Sequence, residues 1–261
     1  MRSSKPYFDG PLPRLIAHRG FSGAPGAGVG VENTIPAFAA ALDLGASHLE
    51  TDVHASRDGV AMISHDPDLR RLVGLSKTVS DLSADELRAL DLGGGIGFCS
   101  LSDALQAFPE ARFNIDIKAA DAVEPTIAAV RQNSATDRVL VTSFDNDRRL
   151  RAVRALPGVA TSASALGFAV ALLASKAGLL PVMKRALRGV DAVQVPERAL
   201  RLSVTTPRMV AHLHAIGVEF HVWTVNDGAD MDRLLDLGVD AIITDRSDLA
   251  RQVWDARAAS H

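Results

Sequence analysis

Three short polar islands interrupt apolar runs in this chain: Ile16-Ala17-His18-Arg19-Gly20, His48-Leu49-Glu50-Thr51-Asp52-Val53-His54 and Asn114-Ile115-Asp116-Ile117-Lys118. A β-strand alternates faces with period two. Glu50 and Asp52 therefore share one face, opposite Leu49, Thr51 and Val53; Asn114, Asp116 and Lys118 share another, opposite Phe113, Ile115 and Ile117. Carboxylates on a half-buried strand face are costly unless paired or metal-bound. Three carboxylates, Glu50, Asp52 and Asp116, form a hard-oxygen set suited to Mg²⁺ or Ca²⁺, with Mn²⁺ a further choice, rather than to Zn²⁺. Two histidines supply what cleavage of a phosphodiester needs: His18 follows the first run, and His65 ends the run 60–64. One imidazole takes a proton from the attacking oxygen and the other gives one to the leaving alkoxide, since both states are accessible near neutral pH.

Other residues carry a weaker signal. Arg19 and Lys118 are the natural clamps for a phosphate, or else ion-pair partners of the acidic cluster. Glu32 could orient substrate or add a ligand, whereas Asn33 or Thr34 could serve only as a helix cap. Trp223, between Val222 and Thr224, either packs against the carbon skeleton of a substrate or belongs to the core. His48 and His54 share the Glu50/Asp52 face, but their spacing, like that of His212, His214 and His221, demands no role. The glycine-rich stretch 23–30 has neither phosphate-loop spacing nor a dinucleotide fingerprint and reads as a rim loop. Cys99, the single cysteine, reads as a small buried hydrophobe in a reducing compartment.

The elements that must hold these residues are legible as a rhythm. Apolar, β-branched runs at 15–17, 49–53, 113–117, 139–142, 159–162, 192–195, 220–224 and 241–244 alternate with helical patterns such as 34–44, 207–216 and 231–237. Eight strands alternating with helices over 261 residues predict an α/β fold, a (β/α)₈ TIM barrel in one domain over 1–261 with its core at about 15–253; a doubly wound open sheet is the rival. Residues 54–100 are too long for a crossover and read as a small insertion after the second strand, with a helix at 83–90 opened by a Ser83/Glu86 capping box. The formal charge of −3 offers no basic surface and speaks against nucleic-acid binding. The first residues lack the apolar core of a secretory signal, which reads as cytoplasmic. The apolar stretch 163–183, broken by Lys176 and Pro181, reads as a barrel helix that could touch lipid rather than as a membrane span. Pattern alone does not give the oligomeric state.

Taken in order, His18-Arg19-Gly20, Glu32-Asn33-Thr34, Glu50-x-Asp52-Val53, His65-Asp66, Asn114-x-Asp116-x-Lys118, Val222-Trp223-Thr224-Val225-Asn226 and Ile243-Thr244-Asp245 resemble the glycerophosphodiester phosphodiesterase family. The resemblance implies a TIM barrel that uses a divalent metal to hydrolyse glycerophosphodiesters to glycerol 3-phosphate and an alcohol. It places His18 and His65 as the catalytic pair, Glu50, Asp52 and Asp116 as metal ligands, and Arg19 and Lys118 near the phosphate. Asp116 and Asp103 stand where the family more often has Glu, and Val31 where it usually has Pro. Two rivals remain at this point: a lysophospholipase D-type enzyme acting on lysophospholipids, and a non-catalytic barrel that binds a phosphate ligand.

Overall fold

The computed structural model describes residues 3–23, 31–199 and 202–259; most of the glycine-rich stretch, 24–30, lies outside them. Eight parallel strands form the barrel: β1 (Arg14–His18), β2 (His48–Ala55), β3 (Arg112–Ile117), β4 (Val139–Thr142), β5 (Ala160–Thr161), β6 (Ala192–Pro196), β7 (Glu219–Trp223) and β8 (Ala241–Thr244). They hydrogen-bond in the order β5-β4-β3-β2-β1-β8-β7-β6. A single parallel bridge, Ser162 to Ala192, joins the two ends, so the sheet closes into a barrel and the open-sheet alternative falls. The seam explains why β5 is shorter than the expected run 159–162: beyond Thr161 only that bridge continues the pairing.

Alternation holds along β2 and β3. Leu49, Val53, Phe113, Ile115 and Ile117 face the surrounding helices in the main core, which leaves Glu50, Asp52, Asn114 and Asp116 to the lumen. Helix Ile35–Asp43 shows how the strands are spaced. Thr34 accepts a hydrogen bond from the Ala37 amide, Pro36 sits in the first turn, and Gly45 turns the chain into β2 at φ +87°. This is the polar-cap, proline, glycine order expected of a helix between strands.

The N-terminal mouth of the barrel is plugged. The turn Pro6–Phe8 places Tyr7 and Phe8 against Leu140, Ala160 and Ala192. Arg14 donates to the Phe8 carbonyl and makes a two-pronged pair with Glu219, at 2.9 and 3.0 Å. The C-terminal mouth is open, and there β2 runs past the rim into the insertion. Strand Ala61–Ile63 pairs back on it antiparallel, Val53 opposite Ile63 and Ala55 opposite Ala61. The insertion has its own small core of Met62, Leu69, Val79, Leu82, Leu87 and Phe98. Its helix Ala84–Arg88 carries the expected Ser83/Glu86 capping box. The apolar stretch 163–183 divides into helices Ala165–Ala177 and Leu180–Ala186, separated by Gly178. No helix among the described residues is long and apolar enough to cross a membrane.

Candidate active site

Parallel register brings the polar islands together at the C-terminal mouth. His18 pairs with Glu50 and Glu50 with Asn114, while Asp52 pairs with Asp116. Two rows one pleat apart therefore carry an imidazole, an amide and three carboxyls around one point. The insertion returns the second histidine to the same place, because the Ser64 amide donates to the Asp52 carbonyl at 3.0 Å. A cavity of about 600 Å³ opens there, lined by His18, Arg19, Glu50, Asp52, His65, Asp116, Lys118 and Trp223 among others. Catalytic groups of such barrels lie at this end, on strand ends and the loops that follow.

Each histidine is held from behind by a carboxylate. His18 Nδ1 lies 2.6 Å from Asp245 Oδ1, and His65 Nδ1 lies 2.7 Å from Asp66 Oδ1. Burial works against charge on both acids, but the histidine and further donors outweigh it, holding Asp245 and Asp66 below the usual carboxylate range. An ionised carboxylate only accepts, so each Nδ1 is the donor to its acid; His18 Nε2 lies 4.0 Å from Glu50 Oε2, and both rings line the cavity. Burial also opposes charge on His18, yet Asp245 and the Glu50 carboxylate raise its pKa overall. Asn226 locks this arrangement by donating to Asp245 Oδ2 at 2.7 Å and accepting from the Asp245 amide at 2.9 Å. On the other side Arg71 donates to Asp66 at 2.5 Å and to Glu32 at 2.6 Å.

The turn after β1 is unusual in its backbone. Arg19 and Asn33 are both non-glycine residues at φ +60°, a sparsely populated region that persists where surroundings over-determine it. The Arg19 amide donates to the Glu50 carbonyl and Oε2, and the Asn33 amide donates to the Arg19 carbonyl. Asn33 is thus not the cap. It accepts from Thr51 Oγ1 at 2.8 Å and sets its side-chain amide 3.4 Å from Asp52 Oδ2, while Thr34 takes the capping role.

The anticipated clamps line the cavity and hold the acids. Lys118 Nζ sits 2.8 Å from Asp52 Oδ1 and 2.9 Å from Asp116 Oδ2. Arg19 lies 3.2 Å from Glu32 and 3.4 Å from Asp52. Glu32 is not among the described lining residues; its carboxylate stands behind Arg19 and links it to Arg71. Trp223 lines the cavity with its ring edge-on to Phe144, centroids 6.4 Å apart. His54 lies beside the site, its Nε2 3.3 Å from the His65 carbonyl. His48 is at the opposite end of β2 against the Tyr7 carbonyl. Cys99 is buried, and burial pushes its thiol up to about 12, so it stays a protonated hydrophobe.

The acidic set can be weighed against a hard cation. Asp116 Oδ1 is buried with no hydrogen-bond partner. Burial, then the charge of Asp52, raises the pKa of Glu50, and burial raises that of Asp116. A lone oxygen and carboxyls reluctant to ionise together are the donor chemistry that a divalent cation stabilises. Lys118 already balances Asp52 and Asp116, and among the described residues no three His, Cys, Asp or Glu side chains close into a ready ligand cluster. The donors fit such an ion in kind, with the lysine as the competing cation.

Comparison with known proteins agrees with this geometry. Residues 18–249 match the sequence model of the glycerophosphoryl diester phosphodiesterase family. A Mycobacterium tuberculosis protein named probable glycerophosphodiester phosphodiesterase 2 is 43% identical over 245 residues, covering 93% of this chain and 90% of that protein. A Rattus norvegicus protein named as a lysophospholipase D is 26% identical, covering 90% of this chain and 83% of its own. Among solved structures, an Oleispira antarctica phosphodiesterase in complex with the product sn-glycerol-3-phosphate superposes with a TM-score of 0.73 at 22% identity, covering 95% of this chain and 97% of that one.

Proposed function

The chain belongs to the glycerophosphoryl diester phosphodiesterase family, and we propose that it hydrolyses glycerophosphodiesters to glycerol 3-phosphate and an alcohol by His18/His65 acid–base catalysis with a divalent cation. The observation that carries the reading is the paired histidines. Both have Nδ1 tied to an ionised carboxylate, and both line the cavity that holds Arg19, Lys118 and the three acids.

In this reading His18 Nε2 takes the proton of the attacking oxygen as that oxygen bonds to phosphorus. The bond from phosphorus to the alcohol oxygen breaks, and His65, which enters this step as the imidazolium with a second proton on Nε2, passes that proton to the oxygen as it leaves. The nucleophile is either water or the neighbouring glycerol hydroxyl; the latter gives a cyclic phosphate that water opens with the two histidines exchanging roles. Arg19 and Lys118 meet the phosphate oxygens, releasing part of their hold on Asp52 and Asp116. Trp223 packs against the carbon skeleton. Glu50, Asp52 and Asp116 would hold Mg²⁺ or Ca²⁺. Such an ion, when bound, supplies positive charge to offset that developing on phosphate oxygens. Removing either histidine should cost about 10²–10⁴-fold in turnover.

The test is glycerol 3-phosphate release from glycerophosphocholine after chelation, with Mg²⁺, Ca²⁺ and Mn²⁺ restored separately and binding of each ion followed by calorimetry. Release restored by one ion is the expected result. A second reading has one observation in its favour: a wall of the cavity is apolar, formed by Phe144, Phe168, Ala169 and Leu172, and could shelter an acyl chain. Cleavage of lysophosphatidylcholine with glycerophosphocholine left intact would favour the lysophospholipase D reading. Tight binding of both without cleavage would return the non-catalytic barrel.

A further inference from the structure

Helix Ala165–Ala177 breaks the rule for barrel helices. Such a helix buries an apolar stripe and shows water a polar one, and a helix apolar all round is normally enclosed. Here the inner side carries Phe168 and Leu172 into the cavity wall. The outer side carries Leu166, Val170 and Leu173, exposed by 72%, 38% and 64%. Their spacing of four and then three residues makes one continuous stripe. Leu179, just before the next helix, and Val182 within it extend the stripe, exposed by 51% and 44%. Phe144, 60% exposed, stands at the cavity mouth beside Trp223. Six of the seven large exposed hydrophobic side chains among the described residues therefore lie in one region, Leu75 being the other. An apolar concentration of this kind marks an interaction surface.

Its charge is as one-sided. Residues 162–190 contain Lys176, Lys184, Arg185 and Arg188 and no acidic residue, in a chain of net charge −3. All four basic side chains are exposed. We propose that the helix pair Ala165–Ala177 and Leu180–Ala186 docks on an anionic lipid bilayer, with its leucine stripe at the headgroup–acyl boundary and its lysines and arginines among the headgroups. Apolar area combined with basic residues is what holds an interfacial helix on such a membrane. Long basic side chains can keep their charge in the headgroups while their stems lie on apolar surface. A second copy of the chain fits less well, since self-association through this face would bring its basic borders together with no acidic partner within 162–190. Docking would set the cavity mouth, with Phe144 and Phe168, near the bilayer surface. The claim is independent of which diester is cleaved, because it rests on the outer side of the helices.

Vesicle flotation tests it with the full chain. The protein should float with vesicles of phosphatidylcholine and phosphatidylglycerol at about 3:1 and not with phosphatidylcholine alone, the anionic leaflet supplying the attraction. Leu166→Glu with Leu173→Glu should lower vesicle affinity at least about tenfold, leaving circular dichroism and glycerophosphocholine hydrolysis unchanged, since neither residue lines the cavity. Lys184→Gln and Arg185→Gln should each weaken binding roughly fivefold, and added salt should do the same. Wild-type protein left behind by anionic vesicles, or a leucine double variant that floats as wild type, overturns the proposal. So does a concentration-dependent dimer that the same leucine substitutions dissolve, which would make a second copy the occupant. Hydrolysis of the soluble diester, read in parallel, separates failure of docking from failure of the enzymatic reading.

Discussion

The two histidines share a design that their own positions do not reveal. In the proposed mechanism each needs its Nδ1 proton fixed so that Nε2 faces the substrate, and each has an acid against Nδ1, Asp66 next in sequence or Asp245 far along the chain. Replacing Asp245 by Asn removes the charge and puts the other tautomer within reach. The expected result is a fall in kcat of about 10²–10⁴-fold with KM little changed, because a wrong tautomer disables proton transfer without touching substrate; an Asp245→Asn enzyme with wild-type kcat would remove Asp245 from this role. His65→Ala should cost about 3–5 kcal/mol of transition-state stabilisation, read from kcat/KM on glycerophosphocholine. The histidines and Arg19 are legible by type and position, and the three acids and Lys118 also by strand parity. Asp245 was visible only as part of an ordered motif, because its role depends on β8 closing against β1, and parity within a strand says nothing about which strand is its neighbour. Asn33 looked like a cap because its strained backbone and its bond with Thr51 arise only once β1 and β2 are paired.

At the level of elements, register sets the site's precision and a glycine makes it reachable. After His18 and Arg19 the chain must turn beneath helix Ile35–Asp43, and the Phe21 amide donates to the Ala37 carbonyl at 2.8 Å. Gly20 stands at φ +79°, and a Cβ there would lie 2.8 Å from the Ala37 carbonyl carbon. Neither the backbone angle nor the space admits a side chain. Gly20→Ala should destabilise the barrel by about 1–3 kcal/mol and also reduce kcat, because Arg19 and His18 must shift with the turn; urea midpoints and turnover read the two effects separately, and a neutral result in both would show that the helix can withdraw at no cost. The alternating strands and the insertion were readable from periodicity, as was the Ser83/Glu86 box. Asp103, a departure from the usual Glu, also closes a capping box with Ser100. The structure explains it: Asp103 accepts from the Ser100 amide at 2.9 Å and donates its own amide to Ser100 Oγ at 3.1 Å, a role in which Asp can stand for Glu. β5 lies within the run 159–162 but is shorter, because apolar composition does not show where a barrel seam lies.

For the molecule as a whole, the two mouths of the barrel are opposite solutions to polar burial. The C-terminal mouth gathers charges that a ligand can complete, and the N-terminal mouth seals polar groups permanently. His48 is fully buried there beside Tyr7. Burial, only partly offset by its bond to the Tyr7 carbonyl, lowers its pKa to about 3, so it is neutral in the fold and can donate Nε2–H to that carbonyl, 3.0 Å away. An unfolded histidine protonates near 6.5. Between about 3 and 6.5 the unfolded chain therefore binds the extra proton, and the stabilisation present above 6.5 drains as pH falls through that window. One group gives a slope of about 1.4 kcal/mol per pH unit, or roughly 3 kcal/mol between pH 6.5 and 4.5. Glu219 takes over below that range. Burial opposes its charge, but the hydrogen bonds from His221 and Arg14 hold it at about 2, so its contribution is complete above the unfolded carboxylate value near 4.3 and lost only toward pH 2. His18 runs the other way, since its raised pKa adds stability on the acid side that disappears as pH rises through its folded value. The raised pKa values of Glu50 and Asp116 also add stability on the acid side, so the slope that His48 imposes on the urea midpoint between pH 7.5 and 4.5 is read by comparing wild type with a variant. His48→Gln, which can still donate to Tyr7 but cannot take a proton, should remove about one proton's worth of that slope. If the variant and the wild type lose stability in parallel across this range, His48 is not the group that the barrel floor holds neutral.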